Sequence, residues 1–278
     1  MNFLNRKKPL TLVLGGTGKT GRRVAARLEA MGHDVRIGSR SSVPTFDWDN
    51  EKSWNESLKS VTSVYITYAP DLAMPGAKDA IQAFVDLAKR RGVKRLVLLS
   101  GRGEEEAQAC ERIVVSAGLE WTIVRSSWFN QNFSEGAFVD MVLNRVITLP
   151  AGDQVEPFVD ADDIADVAVA ALTEDHHNGQ VYEVTGPRLM TIADVAADLS
   201  RATGREINYV DVPHEGFVAE VGAPRDVVWM LDYLFSTVLD GRNAHLTDGI
   251  QRALGRPARD FADYARDVAA TGAWRTAA

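Results

Sequence analysis

Residues 10–14 read LTLVL, a continuous apolar run that passes straight into GGTGKTG and then into a stretch with helical spacing. A run of this kind suits a strand covered on both faces. The glycines Gly15, Gly18 and Gly21 follow it at intervals of three. Glycine at such places permits a tight turn and lets backbone amides approach a diphosphate, whose charge a helix N-terminus then stabilises. A glycine triplet alone is weak evidence. Between an apolar strand and an amphipathic helix it becomes a dinucleotide fingerprint. Gly18-Lys19-Thr20 imitates the end of a P-loop, but that motif needs a further glycine at position 13, which is Val13. Lys19 then reads as a flanking charge near phosphate or a solvated side chain.

The rest of the first 125 residues alternates short strand-like runs with helical ones. A helix is expected over Thr20–Met31, burying Val24, Leu28 and Met31, with Gly32 ending it. Strands follow at 34–38, 63–68, 95–99 and 121–125, with a short one near Phe46. Helices are expected at 51–60, 77–91 and 104–117. Regular alternation implies an α/β fold with a doubly wound parallel sheet and right-handed crossovers. After residue 133 the rhythm changes: VDADDIADVAVAAL reads as a helix opened by acidic residues, QVYEVT as a strand, and Thr191 as the cap of a helix to about Thr203. A strand is expected near 206–211, and the last 65 residues are mainly helical. The expected division is 1–133 for the nucleotide-binding core and 134–278 for a segment completing the sheet and forming a C-terminal lobe.

Which dinucleotide binds depends on the end of the second strand. A NAD site usually carries an acidic residue there. Asp34 lies at the strand's beginning, whereas Ser39-Arg40-Ser41-Ser42 follow its end, and an arginine fork suits a 2′-phosphate. NADP is therefore expected in preference to NAD. Asp47-Trp48 either flank the adenine or supply a core tryptophan.

Several chemistries are excluded by what the chain lacks. All eight lysines precede residue 95, and no tyrosine is followed four residues later by lysine, so the Tyr-x-x-x-Lys acid couple of many short-chain reductases is missing. There is no Gly-x-Ser-x-Gly elbow and no His-Glu-x-x-His helix. His176 and His177 are adjacent and cannot share one helix face as metal ligands, so no metal site is expected. The single Cys110 forms no internal disulfide and reads as a small apolar helix residue. A net charge of −7 argues against nucleic-acid binding. Arg6-Lys7-Lys8 before LTLVL makes a poor signal peptide, and no apolar run approaches a membrane span. A cytoplasmic protein acting on something small is expected, as a monomer or homodimer.

GGTGKTGRRVAARL, FDW at 46–48, SSWFNQNF, FVDADDIADVAVAAL and the C-terminal stretch from DGRNAHLTDG onward resemble the NmrA-like, atypical short-chain dehydrogenase/reductase family, closest to the branch of ergot-alkaloid reductases. The resemblance implies a Rossmann-like domain with a smaller, mainly helical C-terminal substrate lobe. It further implies that Gly15, Thr17, Gly18, Lys19 and Thr20, with Gly21, hold the pyrophosphate, and that Ser39 and Arg40 face the 2′-phosphate. Tyr68, Ala69 and Pro70 would lie along the ribose and nicotinamide, and Ser100 and Gly101 at the next strand end. Ser126, Ser127, Trp128 and Phe129 would close over the nicotinamide, with Asn132 and Phe133 beyond. Tyr68, Trp128, Phe129 and Phe133 would form an apolar wall, covered by Phe217, Trp229 and Tyr233 or packed as core. The expected activity is hydride transfer from NADPH to an electron-poor C=N, C=C or quinone group of a hydrophobic small molecule, which needs little acid catalysis. The alternative is a redox-sensing regulator that binds NADP without turning it over.

Overall fold

The computed structural model describes residues 9–220 and 224–275, so Arg6, Lys7 and Lys8 lie outside the described residues. A six-stranded sheet has the order β2-β1-β3-β4-β5-β7, built from β1 (Leu10–Leu14), β2 (Asp34–Gly38), β3 (Val61–Ile66), β4 (Arg95–Gly101), β5 (Glu120–Ser126) and β7 (Gln180–Val184). Strands β2, β1, β3 and β4 pair in parallel, with Val13 opposite both Ile37 and Tyr65. The strand order reverses between β1 and β3, and in open sheets ligands bind at the carboxyl ends of strands at such a switch point.

The helices in chain order are α1 (Lys19–Ala30), α2 (Trp54–Ser57), α3 (Ala77–Arg90), α4 (Glu105–Ser116), α5 (Val139–Leu143), α6 (Ala161–Thr173), α7 (Ile192–Thr203), α8 (His214–Glu220), α9 (Arg225–Tyr233), α10 (Gly249–Leu254) and α11 (Phe261–Thr271). Two compact units are interleaved along the chain. One holds residues up to Ser100 with Glu106–Val124 and Ala165–Val181; the other holds Gly101–Glu105, Arg125–Ile164 and Tyr182 onward. Among the described residues no helix is long and apolar enough to cross a membrane.

In the first unit, Leu12, Leu14, Val64, Ile66, Leu96 and Leu98 of the sheet are fully buried together with Ile81 and Phe84 of α3. Cys110 of α4 is buried there too. Its thiol is pushed up to about 11, chiefly by burial. In the second unit, α7 and α11 supply Val195, Leu199, Phe261 and Tyr264 to a separate core. The α7 start is fixed by a capping box in which the Thr191 hydroxyl accepts from the Asp194 N–H and the Asp194 carboxylate accepts from the Thr191 N–H.

Some expectations are corrected. Val24 and Leu28 are buried, but Met31 is the C-cap of α1 and is 57% exposed, because the helix ends one residue before it. No strand forms at Phe46; its ring is buried between Trp54 and Phe84 instead. The helix expected over 51–60 divides into a 3₁₀ turn, Glu51–Ser53, and the four-residue α2. The strand β6 (Val146–Leu149) was not foreseen; it pairs in parallel with β8 (Asn208–Asp211), which falls in the expected 206–211 stretch.

Candidate cofactor site

The glycine turn spans the four residues between β1 and α1. Gly15 has φ +59°, and a Cβ there would stand 2.3 Å from the Thr67 hydroxyl oxygen. That hydroxyl donates to the Leu14 carbonyl at 3.0 Å, so the ends of β1 and β3 are tied at the switch point. The Gly18 N–H closes the turn on the Gly15 carbonyl at 2.8 Å, and the first α1 bond runs from the Arg22 N–H to the Gly18 carbonyl at 3.2 Å. A Cβ on Gly21 would stand 2.2 Å from the Gly15 carbonyl oxygen, so the helix lies directly on the turn.

This arrangement suits a dinucleotide diphosphate. Gly15 and Gly21 set the close approach, Thr17 and Gly18 form the exposed edge, and the first-turn N–H groups of α1 lie beneath a position without a side chain. Lys19 is half-buried, and Thr20 is buried beneath the loop beside the Tyr65 phenol. That phenol is fully buried and meets no partner at hydrogen-bonding geometry; burial raises its pKa and outweighs the Thr20 hydroxyl, which acts in the opposite sense.

At the end of β2 the Ser42 hydroxyl donates to the carbonyls of Ser39 and Pro44, both at 2.9 Å, and accepts from the Ser39 N–H. This bracing leaves Arg40 exposed. Trp48 is half-buried: its indole N–H donates to the Thr67 carbonyl at 3.0 Å, and its ring meets Phe46, Trp54, Phe84 and Tyr68 with centroids 4.9–5.6 Å apart. Of the two readings of Trp48, these contacts are those of a core tryptophan. The Asp47 carbonyl accepts from the Trp54 indole, and its carboxylate from the Asp49 N–H. Tyr68 is half-buried against Trp48, with its phenol pKa raised chiefly by burial, while Ala69 and Pro70 are exposed. The Ser100 hydroxyl is buried and donates to the Glu111 carboxylate at 2.6 Å.

The second unit carries the segment after β5. Ser126 and Ser127 are buried; the Ser126 carbonyl accepts the Arg102 N–H at 3.0 Å, and the Ser127 N–H donates to the Val184 carbonyl at 3.1 Å. Gly101 faces the Glu104 carboxylate, which a Cβ would meet at 2.2 Å. The Trp128 ring is half-buried against Phe235 at 5.2 Å, and Phe129 bridges to Val159. Asn132 is half-buried and donates its N–H to the Phe129 carbonyl. Phe133 is fully buried among Phe138, Phe158 and Phe261, so it is a core residue and not part of an apolar wall. Phe217 packs on Phe235, whereas Trp229 stacks on Tyr233 and stays 38% exposed.

Sequence reasoning passed over three residues here. Thr67 locks the glycine turn; its signal was a hydroxyl at the very end of an apolar strand. Arg102 is a buried guanidinium that donates to the Asn243 carbonyl at 2.9 Å, the His245 carbonyl at 3.0 Å and the Glu183 carboxylate at 3.4 Å. Glu156 is 1% exposed, and burial pushes its carboxyl up to about 8 against the opposing pull of Arg102 and the Trp128 N–H. Neither of these two carried a motif. Because removal of Arg102 strands the buried Asn243 carbonyl and takes from Glu183 one of its two guanidinium partners, the other being Arg125, Arg102→Ala should lose about 1–3 kcal/mol of stability, read by urea unfolding. An unchanged midpoint and slope would contradict the clamp.

The family model described as NAD(P)H-binding matches residues 15–175, which include the glycine turn and the strands β2 to β5. The chain belongs to the NAD(P)H-binding family. It is 33% identical to agroclavine dehydrogenase of Claviceps fusiformis, over 92% of this chain and 96% of that protein. Its fold is similar to that of an NADPH-dependent quinone oxidoreductase from Escherichia coli solved with NADPH, with TM-score 0.75, 21% identity, and coverage of 93% of this chain and 99% of that one. It is also similar to NmrA, a negative transcriptional regulator solved with NADP, with TM-score 0.72, 18% identity and coverage of 96% and 97%. The expected class, an NAD(P)H-dependent oxidoreductase with a Rossmann-like sheet, stands.

Proposed function

We propose that this protein transfers hydride from NADPH to an electron-poor C=N, C=C or quinone group of a hydrophobic small molecule. The observation that carries the reading is a glycine turn shaped for a dinucleotide in a chain where no tyrosine is followed four residues later by lysine. Tyr65, Tyr68, Tyr182 and Tyr209 all have phenol pKa values raised, chiefly by burial, with Tyr209 at about 12. A phenol serving as proton donor beside a lysine would be lowered instead. Acceptors that need little protonation fit such a site, and the named activities of the clavine dehydrogenase relative and the quinone oxidoreductase neighbour agree with them.

The nicotinamide supplies the hydride when bound. The chain's own residues orient and shield. Gly15, Thr17, Gly18, Lys19 and Gly21 are assigned to the diphosphate, with Thr20 supporting the turn from below. Ser39 and Arg40 are assigned to the 2′-phosphate, Asp47 to the adenine side, and Tyr68, Ala69 and Pro70 to the ribose and nicotinamide side. Ser100 and Gly101 shape the next strand end, and Ser126, Ser127 and Asn132 position the segment after β5. Trp128 and Phe129 offer aromatic surface to an apolar substrate, which excludes water.

The test is to follow loss of reduced-nicotinamide absorbance with NADPH and a panel of quinones, azo dyes and cyclic imines. Turnover of any acceptor supports the reading; tight NADPH binding with no turnover across the panel favours a regulator. Cofactor choice has its own test. Arg40→Ala should weaken NADPH binding about 10- to 100-fold, the scale of a charge-assisted contact, and leave NADH binding nearly unchanged. Equal losses for both would remove Arg40 from the 2′-phosphate.

A further inference from the structure

The turn between α6 and β7 brings together Glu174 and the two histidines that the sequence reading set aside. Adjacency of His176 and His177 would separate their rings on a helix, but here they stand on a 3₁₀ turn, Asp175–His177, with centroids 3.9 Å apart and planes inclined by 38°. The Glu174 carboxylate oxygen Oε2 lies 3.6 Å from His176 Nδ1 and 3.7 Å from His177 Nε2. One ligand atom from each residue falls within 4.8 Å of the others.

We propose that Glu174, His176 and His177 form a binding site for a single divalent transition-metal ion, at the end of the sheet opposite the glycine turn. Metal–ligand bonds of 2.0–2.1 Å in a tetrahedral set place ligand atoms about 3.3 Å apart. The two carboxylate–imidazole separations approach that value, and the two exposed side chains, Glu174 and His176, can close the difference by rotation. The third, His177, is buried and comes from a fixed position.

The turn is held to the sheet by its backbone. The Thr122 hydroxyl donates to the His177 carbonyl at 2.7 Å, the Gly179 N–H donates to the Trp121 carbonyl at 2.7 Å, and Asn178 accepts from the Trp121 N–H at 3.0 Å. Arg95 holds the Glu174 carbonyl at 3.2 Å and the Asp175 carboxylate at 2.6 Å. A site so anchored loses little entropy when its ligands converge on an ion.

The local charge also suits a cation. Arg95 is the one guanidinium in these contacts, and it is paired with Glu120 and Asp175, whereas the Glu174 carboxylate faces the two imidazoles. Two imidazoles and a carboxylate are borderline ligands that suit zinc, nickel or copper rather than magnesium or calcium. The exposure of His176 and Glu174 leaves room for water to complete the coordination. The site lies in residues that the proposed hydride transfer does not use, so it stands or falls independently of that reading.

The experiment uses the full chain without a polyhistidine tag. Zinc, nickel and copper chlorides are titrated by calorimetry, and copper-loaded protein is examined by electron paramagnetic resonance. One equivalent should bind, tightest for copper, with nitrogen hyperfine structure from two imidazoles. His176→Ala and Glu174→Gln, both at exposed positions that leave the core intact, should each weaken binding about tenfold or more. Absence of one-equivalent binding overturns the proposal, as does binding that both variants leave unchanged, since His33, His214 or His245 would then hold the metal.

Discussion

Gly21→Ala should cost this protein both its nicotinamide cofactor and a large part of its stability. The added methyl carbon would lie 2.2 Å from the Gly15 carbonyl oxygen, 2.6 Å from its carbon and 3.0 Å from the Gly16 Cα. All three are backbone atoms of a turn whose other side is closed by Thr67, so no side chain can swing away. Either α1 withdraws from the turn or the turn opens. Overpacking of this kind costs about 1–3 kcal/mol, and a displacement near 1 Å carries the helix N-terminus away from the diphosphate. NADPH binding should fall at least about a hundredfold, taking the loss of anion contacts at the helix start as about 3 kcal/mol. Gly18→Ala is the milder comparison: its backbone is extended with φ −84°, and its one close neighbour, the Gly15 carbonyl oxygen, would be 3.2 Å away, so a shift of a few tenths of an ångström relieves the contact and the chain should lose less stability than Gly21→Ala. Wild-type NADPH affinity in Gly21→Ala would refute this account of the turn.

Glu156→Gln should stabilise the protein in alkaline solution and do little in acid. The Glu156 carboxyl is raised from an ordinary value of 4.5 to about 8, so between those values the native state retains a proton that the unfolded chain releases. Stability therefore declines as pH rises through that window, and the penalty is complete above pH 8. Its size is about 3–5 kcal/mol at most. Glutamine keeps an oxygen to accept the Trp128 N–H but cannot ionise, which removes the penalty. Urea unfolding at pH 5, 7 and 9 should show the variant and wild type close together at pH 5 and separating toward pH 9. Parallel stability curves would mean that the carboxyl titrates normally.

The parts of this molecule governed by local periodicity were readable in advance. LTLVL, RLVLL and WTIVR could only be covered strands, and Thr191 announced a helix start. The glycine turn was readable because backbone conformation restricts it more than packing does. What escaped depends on neighbours distant in the chain. Phe46 looks like a strand residue until Trp54 and Phe84 enclose it. Phe133 looks like a pocket residue until Phe261, from the far end of the sequence, closes on it. Met31 failed by a single residue of helix length. Arg102 and Glu156 were unreadable for a different reason: their significance is burial, and sequence alone does not say which charged side chains are taken out of water.

The position of Cys110 has a practical consequence. A lone thiol sealed beneath a helix, and held protonated by that seal, is inert toward alkylating reagents while the helix stays down. Modification then proceeds only through excursions that lift α4 from the sheet. The unaltered protein thus carries its own gauge of how often its nucleotide-binding half comes apart, readable by mass as each molecule gains a single adduct.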